Sequence, residues 1–201
     1  MFMSPWSPAF SPSPVPSTLR PTALALALGF AALLGLPMLA AAQPKNATAV
    51  HGAVQLLPGG KSLTVVTVNG VGTQHSVIDW RSFSVPKGST THFLQPSASS
   101  TSINRVTGNA PSHLFGTLSS NGRLVLVNPA GIAVGKDGAV DTAGFTASTL
   151  ALSDADAVAG RMRFSAVRDN KDLKVDGRVL ARNGDVVLLG TDVKIEKAGV
   201  V

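Results

Sequence analysis

Gly116-Thr117-Leu118-Ser119-Ser120-Asn121-Gly122-Arg123-Leu124-Val125-Leu126-Val127-Asn128-Pro129-Ala130-Gly131-Ile132-Ala133-Val134-Gly135-Lys136-Asp137-Gly138-Ala139-Val140 carries both a turn between two strands and a repeat. Two short apolar runs, Leu124 to Val127 and Ile132 to Val134, flank Asn128-Pro129-Ala130-Gly131. That tetrapeptide predicts a type I turn between strands: Asn at the first position accepts from nearby backbone, Pro presets φ at the second, and Gly closes the fourth. The stretch then returns to its own beginning, because Gly116-Thr117-Leu118 is echoed by Gly138-Ala139-Val140 at an offset of 22. Gly177-Arg178-Val179 and Gly199-Val200-Val201 repeat that offset, and the wider gap between Gly138 and Gly177 reads as near two further repeats. Asn121-Gly122-Arg123-Leu124-Val125-Leu126-Val127 resembles Asn183-Gly184-Asp185-Val186-Val187-Leu188-Leu189 at an offset of 62, about three repeats.

A repeat of roughly 20 residues that carries several short strands and no helix predicts a parallel β-helix, with coils stacked at the ~4.8 Å strand spacing. A leucine-rich repeat would show a fixed Leu/Asn framework, and a β-sandwich would need long alternating strands. Further short runs extend the pattern in both directions: Leu63 to Val68, Ser76 to Trp80, Thr90 to Leu94, Phe145 to Leu150, Val186 to Leu189 and Val193 to Ile195. Asn69-Gly70, Asn121-Gly122 and Asn183-Gly184 stand between such runs as turn signals. Helix is scarce; the one weak candidate, Ser153 to Arg163, is interrupted by Asp and Gly.

The chain before Gln43 reads differently. A Ser- and Pro-rich opening leads to an unbroken apolar run, Ala23 to Leu36, and then to Ala40 and Ala42, the small pair expected before a signal-peptidase cut. The run is short of the ~20 residues that span a bilayer. Residues 1–42 are therefore read as a signal peptide, leaving 43–201 as a mature piece of single-domain size. Arg20 is the only charged residue removed, so the net charge falls from +6 to +5. The chain has no Cys although its leader sends it toward an oxidising compartment, so packing and backbone ladders must stabilise it. Arg81, Lys87, Arg105, Arg123, Lys136, Arg161, Arg163, Arg168, Lys171 and Lys174 are scattered among few aromatics, which reads as solvated charge and not as a nucleic-acid footprint.

Candidate chemistry is sparse. Gly59-Gly60-Lys61-Ser62 resembles the end of a phosphate loop, but Gln55 stands where its first Gly belongs and no helix pattern follows, so a hairpin turn is expected. His51, His75, His92 and His113 are far apart in the chain, without metal-ligand spacing, and are read as surface or turn residues. Asp79 is expected to order a bend and Asp137 a turn. The acids form no convincing pair of the kind a polysaccharide-cleaving enzyme requires. Asn46-Ala47-Thr48 fits the N-glycosylation pattern, relevant only where the transferase exists. Asn104 and Asn128 stand out: such residues satisfy backbone groups at turns and ladder between coils, or present edge groups to another protein.

Val77-Ile78-Asp79-Trp80-Arg81-Ser82-Phe83, Phe93-Leu94-Gln95-Pro96-Ser97, Asn104-Arg105-Val106-Thr107-Gly108, Pro111-Ser112, Asn128-Pro129-Ala130-Gly131-Ile132 and Ala147-Ser148-Thr149-Leu150 occur in one order. In that order they resemble the two-partner-secretion, or haemagglutination-activity, domain of filamentous haemagglutinin-type exoproteins, over about Val50 to Val201. The family's Asn-Pro-Asn-Gly-Ile motif has Ala130 at its third position here, and its second element, Asn-Pro-Asn-Leu or Asn-Ser-Asn-Leu, is not found in this sequence. The resemblance implies a right-handed parallel β-helix, a single-stranded solenoid with short capping and extra-helical strands, occupying residues 43–201. It further implies a secretion-targeting domain of an adhesin, haemagglutinin or haemolysin. Such a domain crosses the inner membrane by the general secretion machinery and is recognised in the periplasm by an outer-membrane barrel transporter with periplasmic domains. Export to the medium or cell surface then needs no nucleotide hydrolysis.

Asn104, Arg105, Asn128, Pro129, Gly131 and Ile132 are the motif residues expected to serve partner recognition. No enzyme activity, cofactor, metal or nucleic-acid partner is expected. An autonomous carbohydrate- or surface-binding adhesive β-helix is the alternative. Lys194 to Val201 stop within a repeat with no polar cap, so the chain is expected to be the head of a longer exoprotein or truncated at its C-terminal end. A host-surface or glycan ligand would belong to a downstream region.

Overall fold

The computed structural model describes residues 43–196. The expected leader with Ala40 and Ala42, and the Gly199 echo, lie outside the described residues. From Ser62 onward the chain winds through three faces in constant order. The first face holds the strands Ser62–Val68, Thr90–Leu94, Thr117–Ser120, Ala139–Thr142 and Arg178–Ala181. The second holds His75–Ser82, Thr101–Val106, Arg123–Val127, Gly144–Ser148 and Val186–Leu189. The third is narrower: Ser112–Leu114, Ile132–Val134, Leu173–Val175 and Val193–Ile195, with Val85 bridging to Leu114 as an earlier rung. Every pairing between successive coils is parallel. This is the parallel β-helix expected from the repeat.

Strand alternation explains why the coil is triangular and full. Leu63, Val65 and Thr67 point inward along Ser62–Val68 while their neighbours face out. Inward residues then stack into ladders; Leu63, Thr91, Leu118, Val140 and Val179 form one through successive registers. Trp80 meets Phe83 edge-on at 5.3 Å, and Phe83 stacks on Phe93 at 6.2 Å, filling the early coils with rings. Aliphatic residues from Leu124 to Val179, joined by Phe145, fill the later coils.

The open edge of the first coil is covered by two antiparallel strands, Lys45–His51 against His75–Ser82 and Ala53–Gly59 against Ser62–Val68. The second pair is closed by the Gly60-Lys61 turn, with Gly60 at φ +61°, so Gly59-Gly60-Lys61-Ser62 is the hairpin expected. Antiparallel pairing at this end supplies the cap a solenoid needs.

The glycine echo has a steric cause. At Gly116 a Cβ would lie 2.3 Å from the carbonyl oxygens of Pro86 and Ser89, and at Gly138 it would lie 2.1 Å from that of Leu114. Gly116, Gly138 and Gly177 each mark a corner where the preceding coil's backbone leaves no room for a side chain. Register then corrects two spacings. Ala139 pairs directly with Arg178, so the gap from Gly138 to Gly177 is one coil enlarged by an insertion, not two repeats. The offset between the two Asn-Gly segments is two coil steps and not three, Leu124 to Phe145 and Phe145 to Val186. The inserted residues form Ala151–Leu152, the helix Asp154–Val158 and Phe164–Ser165, lying outside the coil. Ser153 caps that helix by accepting from Asp156 N, so the Ser153 to Arg163 candidate yields a single short turn.

Other expectations change as well. Phe145 to Leu150 ends its strand at Ser148, whose hydroxyl bonds both the amide and the carbonyl of Leu150. The Asn-Gly pairs at 121 and 183 stand at turns as expected, forming corners between the first and second faces. His51, His75, His92 and His113 are half-buried strand residues; His51 stacks on His75 at 4.8 Å and His113 on Phe115 at 5.1 Å. Among the described residues no group of three or more His, Cys, Asp or Glu is arranged to hold a metal.

Candidate functional site

The Asn128-Pro129-Ala130-Gly131 turn joins the second face to the third. Asn128 O accepts from Gly131 N at 3.0 Å and Asn128 Oδ1 accepts from Ala130 N at 3.0 Å, the bonds expected of this turn. Its side chain also reaches backward: Nδ2 donates to Ala110 O at 3.0 Å and to Ser112 Oγ at 2.9 Å. Ser112 N in turn donates to Gly131 O at 2.9 Å, while Lys171 N from the following coil donates to Pro129 O at 3.1 Å. The corner is therefore clamped between the coil before it and the coil after it. Asn128 is fully buried, Ile132 is a core residue, and Gly131 adopts φ +112°. Pro129 and Ala130 are both half-exposed and border a cleft of about 510 Å³ that Thr107, Gly108, Asn109, Asp169 and Lys171 also line.

Asn104 sits one coil earlier on the inner side of the second face, in register between Ile78 and Leu126. A polar group in an apolar ladder must find partners. Asn104 Oδ1 accepts from Trp80 Nε1 at 3.0 Å, and Nδ2 donates to Ser102 O at 3.0 Å and Ser102 Oγ at 3.1 Å. It fixes the tryptophan on which the early core is built.

Arg105, next in the same strand, points outward, yet its side chain is only 7% exposed. It was expected among the solvated charges; the insertion covers it instead. Its Nε and Nη2 donate to Oδ1 and Oδ2 of Asp79, each at 2.9 Å, and its Nη1 donates to Leu152 O at 3.2 Å and Asp154 Oδ1 at 2.6 Å. Asp79 thus lies in a strand as an ion-pair partner and orders no bend. Burial alone would lower the Arg105 pKa, but the bonds from Asp154 and Asp79 outweigh it and hold the pKa above its ordinary value. Asp79 and Arg105 are register partners, so the pair joins two adjacent coils.

The motif residues thus form two sets. Asn128, Pro129, Gly131 and Ile132 build one corner, with Ala110 and Ser112 as partners the sequence did not single out for that role. Asn104 and Arg105 lie on opposite sides of one strand, the first locking the core and the second holding the insertion.

A family model described as the TPS secretion domain matches residues 40–199. The chain belongs to the TPS secretion domain family. A heme/hemopexin-binding protein of Haemophilus influenzae (strain ATCC 51907 / DSM 11121 / KW20 / Rd) is 30% identical over 152 residues, covering 71% of this chain and 16% of the relative. A second Haemophilus influenzae heme/hemopexin-binding protein is 31% identical over 104 residues, covering 52% of this chain and 11% of the relative. The chain therefore spans about a sixth or less of the relatives it matches. The crystal structure of the HMW1 secretion domain from Haemophilus influenzae is similar at TM-score 0.68 and 31% identity, covering 76% of this chain and 41% of that one. The TPS domain is a module of exported exoproteins, secreted or surface-associated, and its role is secretion.

Proposed function

We propose that this TPS domain is read by an outer-membrane barrel transporter, through that transporter's periplasmic domains, after the general secretion machinery has delivered it across the inner membrane. The observation that carries the reading is the burial of Asn128. All its side-chain hydrogen bonds are spent inside the fold, on Ala110, Ser112 and Ala130. A partner that reads this motif must do so before the coil closes, while the segment is extended. β-Augmentation suits that state: backbone bonds supply affinity and alternate side chains supply selectivity.

Folding beyond the outer membrane then favours outward movement without nucleotide hydrolysis. Each new coil adds parallel ladders and buries apolar area at about 25 cal/mol per Å². The stretch from Leu118 to Val134 alone buries Leu118, Leu124, Leu126, Ile132 and Val134. In this reading the domain binds no nucleic acid, requires no cofactor and catalyses nothing. Any host-surface or glycan ligand belongs to other parts of the exoprotein.

The test compares Asn128→Ala with Ser112→Ala for export and for stability. Recognition of the Asn128 segment predicts that Asn128→Ala lowers export well beyond what its loss of stability accounts for, as calibrated by Ser112→Ala. Normal secretion with only a lower melting temperature would make Asn128 a structural residue.

A further inference from the structure

The outward side of a solenoid face normally meets water, yet on the second face Val77, Ile103, Val125 and Val127 line it and are buried. Their cover is the insertion, through Leu152, Ala157 and Phe164. The cover is slight: two strands of two residues and one helix of five. Its polar attachments to the face are the two bonds from Arg105 Nη1, to Leu152 O and Asp154 Oδ1, and a bond between His75 Nε2 and Val158 O at 3.0 Å.

Arg105 is held from the sheet side by Asp79, whether or not the cover is closed. With the cover lifted, the face would present an apolar stripe beside a fixed guanidinium whose Nη1 lacks a partner. That arrangement is a ready-made receptor for an extended segment with an apolar residue two positions before a carboxylate, the pattern of Leu152-Ser153-Asp154. Chain order adds a reason for the site to be open for a time. The stripe is complete by Val127, whereas its cover begins only at Ala151, and the coil resumes on the third face at Leu173.

We propose that this outer face is a second recognition surface. A segment of the transporter's periplasmic domains with an apolar residue followed by an acid occupies it while the first coils, through Val127, form on the periplasmic side, and the insertion displaces that segment as the later coils close beyond the outer membrane. The proposal rests on the reading of the domain as transporter-recognised.

The probe is a synthetic peptide of Ala151 to Ser165, added to the chain carrying Ala157→Glu. Ala157 is fully buried against the stripe and outside the inner core, so a Glu there lifts the helix while leaving the coil intact. The expected result is peptide binding at least about tenfold tighter than to the unsubstituted chain, lost when Ile103→Lys is added, with the far-UV circular dichroism of the coil retained. Should Ala157→Glu not fold, Asp154→Asn serves instead: hydrogen exchange in 151–165 quickens while 118–126 stays protected. Equal peptide binding by open and unsubstituted chains, binding that survives Ile103→Lys, or exchange unchanged by Asp154→Asn overturns the proposal.

A second arm uses the purified periplasmic domains of the transporter. They are expected to bind the Ala157→Glu chain and to be displaced by the peptide. If they bind only unfolded chain and ignore the open face, this proposal fails while transporter recognition stands. If they bind neither, transporter recognition itself fails.

Discussion

Replacing Asn128 by Ala is the sharpest probe of how the turn holds the coil together. The substitution removes two donated bonds, to Ala110 O and Ser112 Oγ, and one accepted from Ala130 N, all around a side chain with no exposure. At about 1 kcal/mol net per bond the loss is about 3 kcal/mol, and the Ser112 hydroxyl, itself fully buried, adds the cost of an unsatisfied group, for a total of about 3–4 kcal/mol. For a domain of this size, each kcal/mol moves the melting temperature by about 2–4 °C, so a fall of roughly 6–16 °C is expected. Ser112→Ala removes one of the three bonds and is expected to cost about a third as much. Urea unfolding of the chain from Gln43 onward, followed by circular dichroism, reads both values. A loss below about 1 kcal/mol for Asn128→Ala, with an unchanged denaturant slope, would refute the claim that this side chain ties one coil to the next.

Other substitutions test separate joints of the fold. Trp80→Phe leaves Asn104 Oδ1 without its donor inside the core and is expected to destabilise by about 2–4 kcal/mol in the same assay. Gly116→Ala places a methyl 2.3 Å from two carbonyl oxygens and is expected either to prevent folding or to lower the melting temperature by more than Asn128→Ala does, read by thermal scans. Arg105→Gln should loosen the insertion, so that trypsin cuts after Arg161 and Arg163 sooner while the coil remains resistant; identical digestion patterns would contradict the Arg105 attachment. Hydrogen bonds from Lys87, Arg182 and Ser153 depress the pKa values of Asp137, Asp141 and Asp156 respectively. A depressed carboxylate stabilises fully above its unfolded pKa, about 3.9, and loses that contribution as pH falls through its folded value. Melting temperatures should therefore be level from neutral pH to about 5 and decline below about 4, more gently at high salt because these pairs lie at the surface.

What the sequence made legible depended on whether a feature is local or belongs to the coil. The strands Thr90–Leu94, Ile132–Val134, Val186–Leu189 and Val193–Ile195 were read with their observed limits, because turn residues bound short β-branched runs on both sides. The Gly116 and Gly138 echo was legible because a crowded corner excludes every side chain. Spacing alone carries no record of whether the gap from Gly138 to Gly177 is two coils or one coil with an excursion, and that ambiguity hid the insertion. Arg105 was misread for a related reason. Its partner Asp79 is distant in sequence and adjacent only in register, and its burial depends on a cover contributed by the insertion. One signal was present: Val77-Ile78-Asp79-Trp80 and Ile103-Asn104-Arg105-Val106 align rung for rung, which sets an acid beside a base. The same alignment sets Asn104 beside Ile78 and Leu126, so its inward direction could be read only once the coil length was known.

Export of this domain is proposed to run through an outer-membrane barrel partner. The decisive measurement follows the chain in cells with and without its cognate barrel transporter. The folded domain is expected outside the cell when the transporter is present, and retained in the periplasm, then degraded, when it is absent. Equal amounts outside the cell in both cases would contradict it.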